Sequence, residues 1–157
     1  MKILLAVDGS SFSNAAAREL ASRPWPPSSE VKVVTAYQVP MATTPEVWAV
    51  SDEYFPALEQ IERERAQRIV DTTLASLGES LDSAVRISGE VLTGPASEAI
   101  LDKAEAWQAD LIVMGSHGYG TLRRLILGSV SQAVVSHAKC SVEIVHQRQD
   151  SDDVKAA

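Results

Sequence analysis

The chain has one cysteine, Cys140, so no internal disulfide can form and no cysteine metal cluster can be built. Long apolar runs are also missing. The longest, such as ILLAV at Ile3 to Val7, are about five residues, against the ~20 that a membrane-spanning helix needs. The opening stretch MKILLAVDGS has one lysine and too short an apolar run before Asp8 for a secretory signal. Basic residues are in deficit, 14 Lys and Arg against 21 Asp and Glu, for a formal net charge of −7. Such a surface does not displace counterions from nucleic-acid phosphates and does not dock on anionic lipid. The expectation is a cytoplasmic protein with neither a nucleic-acid nor a membrane partner.

What is present suffices for one domain with a core: 157 residues, 45% of them hydrophobic. ILLAV reads as a strand buried on both faces. It is followed by a helix over SSFSNAAARELAS, with a serine N-cap and Phe12, Ala15, Ala16 and Leu20 on one face. The prolines of RPWPPSSE end that helix, and VKVVTAY (Val31 to Tyr37) reads as a second strand. Pro40 to Pro56 has no clear period and reads as a long loop, with Trp48, Tyr54 and Phe55 available to a ligand or partner. ALEQIERERAQRIVDTTLASLG predicts a second helix with a stripe of Leu58, Ile61, Arg65, Ile69 and Leu77.

AVRISGEVL is a third strand with a possible bend at Gly89, and Gly94-Pro95 opens a helix through Ala109. DLIVM is the fourth strand, LGSVSQAVVSHAK the fourth helix and SVEIVH (Ser141 to His146) the fifth strand. Residues 148–157 read as a polar, disordered tail behind a domain of residues 1–147. Strands alternating with helices imply an open α/β sandwich, a parallel sheet with helices on both faces. Ligands of such sheets sit beyond the carboxyl ends of the strands, where the strand order reverses.

Two strand ends stand out. Asp8 follows the first strand, where it can cap a helix or accept ribose hydroxyls; Ser10 can be a cap or a phosphate donor. After the fourth strand, GSHGYGTLRRLILGS places Gly115, Gly118, Gly120 and Gly128 around a short basic segment. Gly128-Ser129 opens a helix, whose free N–H groups and dipole attract anions. Ser129 and Ser131 add hydroxyl donors, and Arg123 and Arg124 are either a source of positive charge or a solvated pair. His117, between Ser116 and Gly118, reads as exposed and equally a phosphate neighbour or a turn filler. His137, His146, Cys140 and Trp107 read as structural. No lysine precedes Ser129, which excludes an ordinary P-loop, and DGSS lacks the triple-glycine Rossmann fingerprint. A receiver domain would need more acids at the first strand end and a lysine at the last.

On these residues the chain resembles the universal stress protein family from Lys2 to Val145. ILLAVDGSSFS is similar to the family's opening strand and turn, and GPASEAI and ADLIVMGSHG to its later helix start and fourth strand. Gly115-x-x-Gly118, nine residues, then Gly128-Ser129 is similar to the motif of its ATP-binding branch. The resemblance implies a Rossmann-like fold with five parallel strands in the order 3-2-1-4-5. It implies ATP, with Mg2+ or Mn2+, between strands one and four. Asp8 then corresponds to the ribose-binding acid, Ala6 and Val7 to the wall of the site, and Ala36 to the backbone position that reads adenine. Met114 and Gly115 flank ribose and phosphates, and Gly118, Gly128, Ser129 and Val130 surround the phosphate chain. Strand two ends in TAYQ where many relatives have histidine-valine, and Ser141 stands where proline is common.

The expected function is therefore nucleotide-dependent conformation or partner binding in a stress response or in signalling. The rival is a slow ATPase or nucleotide hydrolase; a nucleotide-free interaction module conflicts with the intact glycine motif. Turnover is expected to be slow at most, because no residue is a convincing base. A homodimer is expected along the fifth strand, with Val142, Ile144 and Val145 packed across a two-fold axis.

Overall fold

The computed structural model describes residues 1–38, 54–118 and 127–146. The chain runs β1 (Lys2–Ala6), α1 (Ser11–Ala21), β2 (Glu30–Tyr37), α2 (Tyr54–Ser80), β3 (Arg86–Thr93), α3 (Ala96–Trp107), β4 (Leu111–Gly115), α4 (Ser129–His137) and β5 (Ser141–Val145). The expectations for Trp48, for Arg123 and Arg124, and for the tail fall on residues outside those described.

The five strands form one parallel sheet in the order β3-β2-β1-β4-β5, as the resemblance implies. Period-two alternation splits its side chains into two cores. Ile3, Leu5, Val7, Val31, Val33 and Val113 pack with Ala16, Ala17 and Leu20 of α1 and Leu77 of α2. Leu4, Ala6, Val34, Leu92, Ile112 and Met114 face the other way, against Ile100 and Ala104 of α3 and Val134 of α4. Buried on both faces, β1 and β4 read as continuous apolar runs for this reason.

Three local expectations are corrected. First, α2 starts at Tyr54, inside the stretch taken for a loop, and it buries Ala66, Val70, Thr73 and Leu77 at helical spacing. Ile61 lies off that stripe and is 57% exposed. The true stripe turns on a small residue and a threonine, whose weak hydrophobicity concealed it; Thr73 satisfies its hydroxyl by donating to the Ile69 carbonyl at 2.8 Å. Second, β3 runs unbroken through Gly89, paired with Val33. A Cβ there would lie 2.3 Å from Val70 Cγ1 and 2.7 Å from Leu74 Cδ1, so this glycine admits α2 rather than bending the strand. Third, the buried face of α1 is Ser13, Ala16, Ala17 and Leu20, which leaves Phe12 at its edge.

A polar belt crosses the sheet on the α3 side. The Lys2 and Lys32 ammonium groups stand 5.7 and 5.3 Å from the centre of the Trp107 ring, and Lys2 Nζ also donates to the Trp107 carbonyl at 3.1 Å. Glu90 pairs with Lys32 at 3.5 Å and with Lys103. Burial pushes the Glu90 carboxyl up, but the hydrogen bond and charge of Lys103 and then those of Lys32 outweigh it and hold the carboxyl below its usual value. A carboxyl held low in the folded chain contributes stability above its unfolded value of about 4.3 and loses it as pH falls through the lower folded value. Glu90→Gln should therefore melt below wild type at neutral pH, and the two midpoints should converge as acid pH passes below the carboxyl's lowered folded value. An undiminished gap at acid pH in thermal scans would refute this ion-pair account.

Candidate functional site

The crevice lies where β1 and β4, neighbours in the sheet but not in sequence, present their carboxyl ends. Val7 continues β1 by donating to the Val34 carbonyl at 2.9 Å, and its own carbonyl accepts from Thr35 Oγ1 at 2.5 Å. The chain then turns through Gly9, whose φ of 79° is left-handed and suits glycine. Ser10 is the N-cap of α1, its Oγ accepting from the Ser13 N–H at 3.2 Å. Asp8 Oδ1 accepts the Ser10 N–H at 3.0 Å, an Asx-type turn that fixes the carboxylate at the mouth of the crevice. The two readings of Asp8 are thus compatible, since one oxygen organises the turn and the other faces across to β4.

On the β4 side, the Ser116 N–H donates to the Val145 carbonyl at 2.9 Å, and the Ser116 carbonyl accepts the Gly128 N–H at 2.9 Å. That second bond brings the start of α4 onto the end of β4 across a long gap in sequence. Gly128 is the N-cap of α4 and supplies no side-chain cap, so the helix's first-turn N–H groups at Ser129 and Val130 lack a side-chain acceptor from that residue. A Cβ on Gly118 would lie 2.7 Å from Asp8 Oδ2. A Cβ on Gly128 would lie 3.3 Å from His117 Cα and 3.8 Å from the Gly118 nitrogen. Asp8, Gly118 and Gly128 therefore converge, with backbone where side chains would otherwise fill the space. This arrangement offers a carboxylate acceptor beside a helix N-terminus, suited to a ligand that carries both hydroxyl groups and anionic oxygens.

Other predicted residues take different places. Ala6 and Met114 are register partners whose side chains belong to the second core, so only their backbone borders the crevice. Ala36 lies near the end of β2, opposite Leu92, at the margin of that core. Gly115 is set by packing, for a Cβ there would meet the Phe12 backbone at 2.7 Å. Ser131 is a strut between α4 and β4, 3% exposed, its hydroxyl donated to the Gly115 carbonyl at 2.9 Å. His117 is not exposed as expected. It is 8% exposed, with Nδ1 3.1 Å from Ser116 Oγ and its ring 5.1 Å from that of Phe12. Its serine and glycine neighbours suggested exposure, but Phe12 of α1 and Gly128 at the start of α4 lie against it.

Sequence reasoning missed Phe12 as a member of this site, having placed it on the core-facing stripe of α1. Cys140 is half-buried, and burial pushes its thiol up, in keeping with a structural residue. Among the described residues no group of three or more His, Cys, Asp or Glu could hold a metal ion. No helix among them is long and apolar enough to cross a membrane.

Comparison with known proteins agrees with this architecture. A universal stress protein of Thermus aquaticus is 34% identical over 143 residues, covering 91% of this chain and 96% of its own. The universal stress protein UspA of Lactobacillus plantarum superposes with a TM-score of 0.76 at 24% identity, over 92% of this chain and 97% of that one. A family member from Arabidopsis thaliana, solved with AMP bound, superposes with a TM-score of 0.63 at 17% identity, over 96% and 94%. The profile of the universal stress protein family matches residues 1–146, and the chain belongs to that family.

Proposed function

We propose that the crevice binds an adenine nucleotide, ATP with Mg2+ or Mn2+, and that the nucleotide state sets conformation or partner choice in a stress response or in signalling. The observation that carries this reading is the approach of Gly118 to Asp8 beside the uncapped α4 N-terminus. Ribose hydroxyls would donate to the Asp8 carboxylate, and the Ala36 backbone would border adenine. The N–H groups of Gly118, Ser129 and Val130 would meet phosphate, with the Ser10 and Ser129 hydroxyls beside them. The AMP-bound relative supports a nucleotide of this class.

The glycine cradle suits a polyphosphate, while among the described residues the donor set for a metal is thin, with Asp8 the one carboxylate placed there. Mg2+ is commonly held by one or two carboxylates together with substrate phosphates, so the ion would arrive on the nucleotide rather than in a protein cage.

Nucleotide released by heating the purified protein should be ATP or ADP at near one per chain. Neither released nucleotide nor any calorimetric ATP binding would sink the proposal. Turnover should stay below ~1 s⁻¹, the low end for enzymes. A base must reach the attacking water, and His117 has its Nδ1 at Ser116 and its ring on Phe12. A faster steady-state rate would favour the ATPase reading.

The proposed homodimer would form along β5, which lies on a sheet edge. Val142 and Ile144 are partly buried against the second core and Val145 against the first, so only the exposed remainder of each would pack across the two-fold axis. Glu143 is held by Arg23 at 2.7 Å. Pairing would join the strand's outer backbone groups to that remaining apolar surface. Light scattering at micromolar concentration should give twice the chain mass, and a monomeric mass would remove the dimer.

A further inference from the structure

We propose that Phe12, on the first turn of α1, is a positioning residue for the nucleotide cradle, acting through His117; this rests on the nucleotide-binding reading above. The chain after β4 is fixed at Ser116 by two backbone bonds, to Val145 and from Gly128. The next residue, His117, links the three parts of the cradle. Its ring lies on the Phe12 ring at a centroid distance of 5.1 Å and an interplanar angle of 48°, a tilted geometry favourable for aromatic pairs. Its Cα is the nearest neighbour to the face of Gly128 that lacks a side chain. Its successor, Gly118, lies against Asp8 Oδ2.

The orientation of the His117 ring is thus tied to where the Gly118 amide stands relative to the Asp8 carboxylate and to the start of α4. Phe12 itself has little freedom. Its backbone abuts the Cβ-less face of Gly115, and the Ser10 cap fixes the helix turn that carries it. Because α1 also holds Asp8 through the Ser10 N–H, one rigid element sets both sides of the cradle. Phe12 is only half-buried and stands off the buried face of α1, so core packing alone does not account for an aromatic ring there.

The test compares Phe12→Leu, which keeps bulk and loses the ring, with Phe12→Tyr, which keeps the ring. ATP affinity is measured by calorimetry, and the His117, Gly118 and Gly128 amide resonances are followed by NMR in ligand-free protein. Phe12→Leu should weaken ATP binding about three- to tenfold, the worth of one aromatic pair, and should shift all three amides. Phe12→Tyr should restore affinity and amide positions. Wild-type affinity in Phe12→Leu, or no rescue by Phe12→Tyr, overturns the proposal. If the wild type itself binds no ATP, the nucleotide reading fails. The amides of the ligand-free variants then decide the positioning role: unshifted Gly118 and Gly128 resonances in Phe12→Leu overturn it. Should Phe12→Leu fail to fold, Phe12→Met with the same readouts takes its place.

Discussion

Replacing Gly118 with valine should abolish ATP binding while leaving the circular dichroism of the protein unchanged. The reason is local. Gly118 does not need a left-handed backbone; it needs the absence of a side chain, because a Cβ would stand 2.7 Å from Asp8 Oδ2. That carboxylate cannot swing away freely, since Oδ1 is held by the Ser10 N–H at the start of α1. A valine would either displace the acid proposed to face the ribose or push its own amide out of the cradle. Both outcomes remove contacts with the ligand, and the loss should reach about two orders of magnitude, ~3 kcal/mol. Stability should change little, because the clash is with a carboxylate at the mouth of a crevice and not with the core. Gly94→Ala provides the contrast. Its φ is +119° with open space around it, so alanine there should cost stability through backbone strain and leave ATP affinity intact. Titration calorimetry on both variants checks the pair, and near-wild-type affinity in Gly118→Val would remove the cradle from its proposed place.

Much of this site was legible because its parts obey short-range rules. The apolar runs that became β1 and β4 are buried on both faces, and each ends at a glycine-bearing turn. Ser10 sits where a cap is needed, and Gly128-Ser129 opens a helix. Reading the crevice then required only that β1 and β4 be neighbours. What was not legible depends on contacts between distant segments. His117 is buried where Phe12 and the start of α4 meet it, and the approach of Phe12 requires α1 to lie across β4. The real stripe of α2 depends on which helix face reaches β3, and Gly89 records that approach better than the hydrophobicity of α2 does. Ser131 looked like a ligand donor because its hydroxyl is free in sequence terms; only the fold supplies the Gly115 carbonyl that takes it. Periodicity gives the repeat of a face, and tertiary packing decides which face is used.

Gly115 marks the same boundary, and it leads to the second large effect. The motif Gly115-x-x-Gly118 reads as one phosphate-facing unit, yet its two glycines answer to different constraints. A Cβ at residue 115 would lie 2.7 Å from the Phe12 carbonyl carbon and 2.9 Å from its oxygen and its Cβ. Those atoms are backbone and the root of a side chain, so no rotamer change can make room. Neither partner can retreat cheaply. The strand is held in register between β1 and β5, with Gly115 opposite Val145. The helix is held by the Ser10 cap and by buried Ala16, Ala17 and Leu20. Gly115→Ala should therefore force α1 off the sheet and destabilise the protein by about 3 kcal/mol, the upper end of ordinary overpacking. For a chain of this size that is a fall of about 6–12 °C in thermal midpoint. Gly118→Ala should melt within about 2 °C of wild type on the same scale while losing nucleotide affinity, so the two glycines separate stability from binding. If Gly115→Ala melted like wild type, the tight α1–β4 contact would be wrong, and with it the account of what holds Phe12 over His117.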